Sequence, residues 1–360
     1  MMNNSKINAL GMCSLIIILL ISGFMGTGIY SLIRASSIDG YISIICSFIF
    51  GFVIIYMFIT IFNYKGELTI RNKINTIFGK GVGFLLNMIL TVCFFVLSVV
   101  FAYNYNSFIS SQFLSETPIL FIEITVTVLS FYVLTKGFDT LSRVGLIVVI
   151  INVFLYFVAI FGLINNVDLS NFLPIMKDGI MRPLLGCLYF SLFDIVPIFL
   201  LLIVPRNNIV NKDKVNKYVV FAYIFSVILM MGMFITVVGS LGIHLASSYQ
   251  YPEYIVLKRV KLFNFLDRIE NVIVIQWLLG LFVSVVLIMY YVANMIKRNN
   301  SNKGWYFVLL FMLMISTVFI FRDNTVFEEF CYGVMPFVLG GIFVVMCIVF
   351  VGVIIKKRRS

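Results

Sequence analysis

Residues 21–30 of the chain read ISGFMGTGIY and lie inside a long apolar run. Three glycines, Gly23, Gly26 and Gly28, stand at the centre of this run. Glycine weakens a helix and lets the backbone leave helical geometry. Inside a membrane, such backbone is tolerated only where protein or a cavity satisfies its polar groups. The stretch therefore predicts a membrane helix that is interrupted at its centre, with backbone contacts to a ligand at Gly23, Gly26, Thr27 and Gly28.

A second stretch, residues 186–204, reads GCLYFSLFDIVPIFLLLIV and carries Asp194 and Pro197 near its middle. Proline removes a helical hydrogen bond. An ionisable side chain at the centre of a bilayer costs about 2.5–3.5 kcal/mol on insertion scales. This combination predicts a second interrupted helix and makes Asp194 a candidate functional residue.

The composition requires lipid as the solvent. The chain has 360 residues, of which 62% are hydrophobic and only 11% are charged, and its mean hydropathy is +1.10. A soluble domain carries roughly 25% charged residues. The net charge of +11 does not indicate nucleic-acid binding, because the basic residues lie in short segments between apolar runs.

Apolar runs of spanning length predict an all-α membrane protein with about ten transmembrane helices. We expect one permease domain over residues 1–360, because no soluble domain fits between the runs. The first run is interpreted as a retained span. The predicted spans are 7–33, 41–62, 81–111, 118–134, 144–164, 184–204, 217–243, 270–296, 304–321 and 330–355.

The spans divide into two halves, 7–164 and 184–355, and each half begins with an interrupted helix. Interrupted helices at matching positions of two halves are typical of 5+5 inverted-repeat transporters. More than half of the 26 Lys and Arg residues fall in the segments on one side, which predicts that both termini are cytoplasmic.

A small-molecule site is expected between the first and sixth spans, with the third and eighth spans completing it. Free N–H groups at a half-helix start favour a carboxylate, and free carbonyls favour an ammonium or cation. An amino acid presents both groups. Chosen by depth alone, the candidate pocket residues are Val100, Tyr103, Phe190, Asp194, Trp277 and Gly280. The competing interpretation is that the glycines permit helix packing and that Asp194 is hydrogen-bonded within the bundle.

Two connecting segments have helical character. Residues 66–79 are amphipathic and predict an interfacial helix on the cytoplasmic side. Residues 251–262, YPEYIVLKRVKL, predict a short helix on the outer surface. Next to it, Asp267, Arg268 and Glu270 are interpreted as a structural anchor of the eighth span, in which Arg268 pairs with either carboxylate. The alternative is a solvated helix end whose acidic residues favour the helix dipole.

Several motifs resemble known permeases. Residues 26–30, GTGIY, resemble the G-[ST]-G-I-[FY] sequence of the broken first helix in amino acid–polyamine–organocation transporters. In the outer loop, Tyr251-Pro252, Leu257-Lys258 and residues 265–270, FLDRIE, resemble the YP…LK…F-[IL]-[ED]-R-[IL]-E pattern of the spore germination permease family, with Asp267 where Glu is more frequent. Residues 171–174, NFLP, followed by Gly179, resemble that family's N-x-x-P…G stretch.

This resemblance covers essentially the whole chain and implies the leucine-transporter-like fold with broken first and sixth helices. It implies a germinant sensor, the B subunit of a germinant receptor, in the spore inner membrane. The implied partners are a receptor A subunit, a lipoprotein C subunit and a small nutrient, with an amino acid as the expected germinant.

The alternative is a proton- or cation-coupled secondary amino acid transporter, in which Asp194 is the coupling group. An enzyme is not expected, because the sequence shows no nucleophile–histidine–carboxylate set and no metal-ligand cluster. No cofactor is expected either.

Overall fold

A computed structural model describes residues 7–259, 269–296, 304–321 and 323–359 of the chain. These residues form thirteen α-helices and one pair of two-residue strands. The helices are α1 (Ala9–Gly23), α2 (Ile29–Ser36), α3 (Gly40–Asn63), α4 (Ile70–Gln112), α5 (Ile119–Lys136), α6 (Phe138–Leu163), α7 (Met181–Phe190), α8 (Val215–Ser248), α9 (Pro252–Leu257), α10 (Ile269–Ile296), α11 (Gly304–Ile320), α12 (Asn324–Gly333) and α13 (Met335–Arg359).

Most of these helices have membrane-spanning character. Within the described ranges, 8 helical segments are long and apolar enough to cross a membrane. One of them, Ala9–Asn63, is 55 residues long and contains the first two predicted spans in succession. Helix α11 is also apolar but shorter, at 17 residues. The predicted class, an all-α protein with about ten membrane spans, is confirmed. The 5+5 repeat and the single permease domain stay predictions.

The first helix lies at the centre of the bundle. Helix α1 is apolar on all sides and almost entirely buried. A helix that is apolar all round is typical of a bundle interior. It packs against α6, α8 and α10. Its interruption therefore lies inside protein, where neighbouring side chains can satisfy the exposed backbone.

Several connecting segments meet at one end of the bundle. The strand Ile7–Asn8 pairs in parallel with Ile209–Val210. The Asn207 N–H donates to the Gly66 carbonyl at 3.0 Å. Near the end of α13, Lys356 Nζ donates to a backbone carbonyl of α4 at 3.1 Å. Both ends of the described chain thus lie at the same end of the bundle. That this end faces the cytoplasm stays a prediction.

The predicted amphipathic helix over 66–79 forms the beginning of α4. It starts at Ile70 and is separated from the remainder of α4 at Gly79, where φ is 79° and ψ is 177°. Its Lys73 side chain is fully buried. The Lys73 Nζ donates to the carbonyl oxygens of Ile61 and Phe62, both at 2.9 Å. These are among the last carbonyls of α3, which have no partner within that helix.

The prediction of a surface helix over residues 251–262 is wrong for the part that the structure describes. Helix α9 is buried and packs against α8, α10 and the turn that follows α1. The rings of Tyr251 and Tyr254 contact Phe108 of α4 edge-on, with centroids 4.8 and 5.3 Å away. These apolar positions fill a gap between helices instead of facing lipid head groups. Residues 260–262 lie outside the described ranges.

The tenth predicted span, 330–355, is divided in two. Asp323 caps α12, because its side chain accepts a hydrogen bond from the Val326 N–H at 2.9 Å. Helix α12 ends at Gly333, and α13 begins at Met335 with Pro336 in its first turn. Proline is tolerated there because the first N–H groups of a helix have no internal partner. The result is a short helix, α12, followed by the longer apolar helix α13.

Candidate functional site

The first membrane helix is interrupted as predicted. After α1 ends at Gly23, the chain forms a π-helical turn, Phe24–Gly28. Within this turn Met25 has φ −70° and ψ 130°, and Gly26 has φ 78° and ψ −93°. Side chains strongly disfavour a positive φ of this kind. The glycine at position 26 is therefore required by the backbone itself.

The backbone exposed by this interruption has a carboxylate partner. The Gly26 N–H donates to Oε1 of Glu253 at 2.8 Å, and Glu253 belongs to α9. A Cβ atom on Gly26 would lie 2.8 Å from Nδ2 of Asn104. The turn therefore presents a backbone N–H group that binds a carboxylate. The carboxylate is the protein's own.

Glu253 itself is unusual for an acidic residue. It is only 4% exposed. Burial raises its pKa from 4.5 to about 7, although hydrogen bonds from its own backbone and from Gly26 oppose the rise. Its second oxygen, Oε2, has no hydrogen-bond partner among the described residues. Near neutral pH this carboxyl group therefore stands between its two protonation states.

The sixth span is interrupted in a different way. Helix α7 ends at Phe190, a π-helical turn covers Ser191–Ile195, and a 3-10 helix follows over Val196–Ile203. Pro197 stands in the first turn of the 3-10 helix. Changes from π to 3-10 geometry within one span leave backbone groups unpaired and often mark functional positions. Asp194 lies in the π-helical turn.

The two interruptions lie against each other. A Cβ atom on Gly28 would lie 2.8 Å from Oδ1 of Asp194, and one on Gly23 would lie 3.6 Å from the same atom. The rings of Phe24 and Phe190 meet edge-to-face with centroids 5.7 Å apart. The structure therefore brings four predicted site residues together, with Phe24 beside them: Gly23, Gly28, Phe190 and Asp194.

Asp194 is a buried carboxyl group without a stabilising contact. It is 1% exposed. Neither of its oxygens has a hydrogen-bond partner within the described part of the chain. An unpaired charge at such a position is costly, so this carboxyl group is a candidate for binding a ligand or a cation. The expectation that Asp194 is merely hydrogen-bonded within the bundle is not supported.

Two further candidates lie on α4. Val100 is buried, and Tyr103 follows it by about one turn. The Tyr103 hydroxyl donates to Oδ1 of Asn324 at 3.2 Å. Its ring packs on Phe321 and Phe327 with centroids 4.9 and 4.6 Å away. Tyr103 therefore joins α4 to the start of α12.

The two candidates on α10 lie on another side of α1. The Trp277 ring contacts Phe108 edge-on at a centroid distance of 4.6 Å. A Cβ atom on Gly280 would lie 2.7 Å from Oγ of Ser22, so α10 approaches α1 closely at this glycine. Trp277 lines a cavity of about 60 Å³ between α1, α6, α8, α9 and α10. Glu253 lines the same cavity.

The proposed anchor is described only in part. Asp267 and Arg268 lie outside the described residues. Glu270 stands in the first turn of α10 and is partly buried. At the same point the Tyr254 hydroxyl donates to Oδ1 of Asn271 at 3.5 Å, which joins α9 to α10. The role of the acidic and basic cluster stays a prediction.

Sequence reasoning missed Glu253, Asn104 and Glu328. Glu253 contacts the first interruption directly. Asn104 lies beside Gly26, and Glu328 accepts a hydrogen bond from the Tyr30 hydroxyl at 2.9 Å. The only signal for Glu253 was an acidic residue directly after Tyr251-Pro252 in an otherwise apolar and basic loop. That pattern does not say whether the loop turns inward.

The fold defines an all-α membrane protein with several spans, two of which are interrupted. Sequence comparison identifies the family. Residues 6–327 match the family described as "Spore germination protein", and the chain belongs to that family.

Named relatives agree with this assignment. "Spore germination protein XB" of Bacillus anthracis is 22% identical over 255 residues, which is 69% of this chain and 71% of the relative. "Spore germination protein YndE" of Bacillus subtilis (strain 168) is 22% identical over 344 residues, 89% of this chain and 93% of the relative. "Spore germination protein A2" of the same strain is 21% identical over 284 residues, 76% of each chain.

Proposed function

We propose that this protein is the germinant-sensing membrane subunit of a spore germination receptor. It binds a small nutrient, an amino acid, inside the helix bundle and thereby triggers germination. Its role is binding rather than catalysis. Family membership supports a function in germination. The observation that carries the ligand-binding role is the meeting of two interrupted helices at Asp194, Gly23 and Gly28.

The interrupted helices provide the element that changes state. The first interruption replaces helical hydrogen bonding by a contact to a distant part of the chain, from Gly26 to Glu253. A ligand that binds one arrangement of these contacts better than another shifts the population between them. Because α1 packs against α6, α8 and α10, a change at Gly26 that moves α1 is passed on to these three helices.

The site residues of the proposal come from the interrupted helices and from depth in the membrane, and its partners and location come from the family resemblance. The ligand contacts the backbone of the first interruption at Gly23, Gly26, Thr27 and Gly28, while Val100, Tyr103, Phe190, Asp194, Trp277 and Gly280 contribute side chains or close approach. The receptor partners are an A subunit and a lipoprotein C subunit. The location is the spore inner membrane, with both termini in the cytoplasm.

A charge-removing substitution tests the site. Asp194→Asn keeps the shape of the side chain, so the fold is preserved, and it removes the ability of this group to carry a negative charge. We expect the amino acid concentration that gives half-maximal germination to rise at least about tenfold, equivalent to about 1.4 kcal/mol of binding. The matched control is Asp213→Asn, because Asp213 is exposed in the loop before α8.

The experiment measures germination of spores against amino acid concentration, with the level of the protein followed by immunoblotting. The proposal requires that Asp213→Asn leaves the curve unchanged. A normal curve for Asp194→Asn at a normal protein level would contradict a role for the meeting point of the two helices. A chain that responds to no nutrient, with both partner subunits present, would contradict the receptor function.

A secondary transporter is the second candidate, and the environment of Asp194 favours it. A fully buried carboxyl group without a hydrogen-bond partner among the described residues suits reversible binding of a proton or a cation. Uptake of a labelled amino acid into proteoliposomes under an imposed proton gradient tests this candidate. Gradient-dependent uptake that Asp194→Asn abolishes would establish transport, whereas binding without uptake would favour the sensor.

A further inference from the structure

A basic cavity opens at the end of the bundle where both ends of the described chain lie. It has a volume of about 650 Å³ and lies between the last turns of α3, the residues directly after α3, and the last turns of α13. Three of the residues that line it are lysines, Lys65, Lys356 and Lys357, and none of its described lining residues is acidic. None of the candidate residues of the nutrient site lines it, so this cavity is a separate feature of the protein.

The cavity lies where the apolar outer surface of the bundle ends. Exposed apolar residues continue along α3 as far as Tyr56 and along α13 as far as Ile355. The charged residues follow directly, with Lys65 after the end of α3 and Lys356 next to Ile355. In a membrane bundle, lysines near helix ends extend toward the polar interface. The cavity is therefore at the level of the lipid head groups.

The positive charge of the cavity has no direct counter-charge. Neither Lys65 nor Lys356 forms an ion pair with any described residue. The Lys65 Nζ lies 5.8 Å from the centre of the Tyr64 ring. The Lys356 Nζ donates to the Thr76 carbonyl at 3.1 Å. Since an ammonium group has three N–H donors, this hydrogen bond leaves Lys356 able to donate to a further acceptor.

These observations favour an anionic and amphiphilic occupant. We propose that this cavity binds the head group of an anionic phospholipid, whose phosphate lies among the three lysines and whose acyl chains follow the exposed apolar surface of α3 and α13. Thr60 and Asn63 also line the cavity, and their polar groups suit the hydroxyls of a glycerol head group. Basic pockets between transmembrane helices are known recognition sites for anionic head groups.

The volume is sufficient for such a head group. At about 30 Å³ for each water-sized group, the about ten non-hydrogen atoms of a phosphoglycerol head group need roughly 300 Å³. The cavity offers about 650 Å³. A bound lipid would bridge the ends of α3 and α13, and Lys356 would connect it to the beginning of α4. This role goes beyond the proposed sensing function and does not depend on it.

Native mass spectrometry of the full-length protein in detergent tests the inference. The two probes are dioleoylphosphatidylglycerol and dioleoylphosphatidylcholine, which have the same acyl chains and differ in the net charge of the head group. We expect the wild type to bind phosphatidylglycerol at least about fivefold more tightly. Inorganic phosphate and glycerol 3-phosphate should not displace this lipid, because they lack the acyl chains that lie against α3 and α13.

Lysine substitutions test the recognition groups. Lys65→Gln and Lys356→Gln should each weaken phosphatidylglycerol binding about fivefold, equivalent to about 1 kcal/mol for each basic residue, and the double variant about 25-fold. The matched control is the double variant Lys212→Gln and Lys214→Gln, which removes the same charge from two exposed lysines before α8. This control should bind phosphatidylglycerol as the wild type does, and no variant should change phosphatidylcholine binding.

A cavity-filling substitution separates a built site from general surface charge. Thr60→Trp keeps every lysine and should weaken phosphatidylglycerol binding about fivefold or more, whereas Thr125→Trp, at an exposed position of α5, should not. Phosphatidylglycerol should also raise the thermal midpoint of the wild type and leave that of the Lys65 and Lys356 double variant unchanged, because a ligand stabilises the fold that binds it.

Three results would overturn the inference. One is equal affinity of the wild type for the two lipids, a comparison that needs no variant to fold. Another is an equal loss of binding in both lysine double variants, or normal binding by Thr60→Trp, because either would show diffuse attraction to surface charge. The third is a dimer that Thr60→Trp dissociates, without a preference for phosphatidylglycerol, which would assign the cavity to a second copy of the chain.

Discussion

Replacing Gly28 by alanine should disrupt the contact between the two interrupted helices. A Cβ atom at this position would lie 2.7 Å from the carbonyl oxygen of Gly23 and 2.8 Å from Oδ1 of Asp194. Both distances are far below ordinary van der Waals contact. Neither oxygen belongs to the end of a long flexible side chain, so the backbone of the first helix or the π-helical turn of the sixth must move.

The size of the effect follows from two opposing contributions. Forcing one methyl group into a packed interior costs about 1–3 kcal/mol. Alanine recovers up to about 1 kcal/mol over glycine in helical backbone. We therefore expect the Gly28→Ala protein to be less stable by roughly 1–2 kcal/mol, and its thermal midpoint to fall by a few degrees, since about 1 kcal/mol corresponds to about 2–4 °C in domains of 150–250 residues.

The assay is thermal unfolding of the purified protein in one detergent, with Gly81→Ala as the matched control. Gly81 lies in α4, and a Cβ atom there would meet no atom of the described residues within 4 Å. The control should therefore melt at or above the wild-type midpoint. A Gly28→Ala midpoint equal to the wild type, or an equal loss in both variants, would refute the packing argument.

Three further predictions concern other buried groups. Lys73→Met should lower stability by about 2–4 kcal/mol, because the carbonyls of Ile61 and Phe62 lose their donor; Lys73→Arg should restore part of this in the same melting assay. Tyr223→Phe should cost about 1–2 kcal/mol, because its buried hydroxyl donates to a carbonyl of α3 at 2.7 Å. Burial raises the pKa of Glu253 in the folded state from 4.5 to about 7. The folded protein therefore holds this proton more tightly than the unfolded chain does, and its stability is greatest below about pH 4.5. As the pH rises toward 7, the free energy of unfolding should fall by roughly 3 kcal/mol at most. Melting curves from pH 4.5 to 8 should show this decline in the wild type and a weaker one in Glu253→Gln.

Much of the fold could be predicted from local features. The spans follow from uninterrupted apolar runs, and the two interruptions follow from the glycines around Gly26 and from Pro197 beside Asp194. The structure confirms both interruptions. These features are properties of a few neighbouring residues, and the bilayer leaves few alternatives to a helix for an apolar run of this length.

The candidate site could be predicted only in part. The first and sixth spans do meet, and Asp194 faces the glycines as expected. Trp277 and Gly280 lie instead on the α6 and α8 side of α1. In spans that are apolar on every face, periodicity does not show which side chain points inward, so depth was the only guide.

The sequence by itself determined that this protein is a membrane bundle whose first and sixth helices are broken, because composition, glycine and proline act locally. Only the tertiary structure decided what satisfies the exposed backbone. Glu253 lies 227 residues from Gly26 along the chain, yet its carboxylate accepts the hydrogen bond of that N–H. Such a contact depends on α9 folding inward between helices, where burial of its aromatic residues outweighs exposure at the membrane surface. No local pattern in the loop encodes that choice.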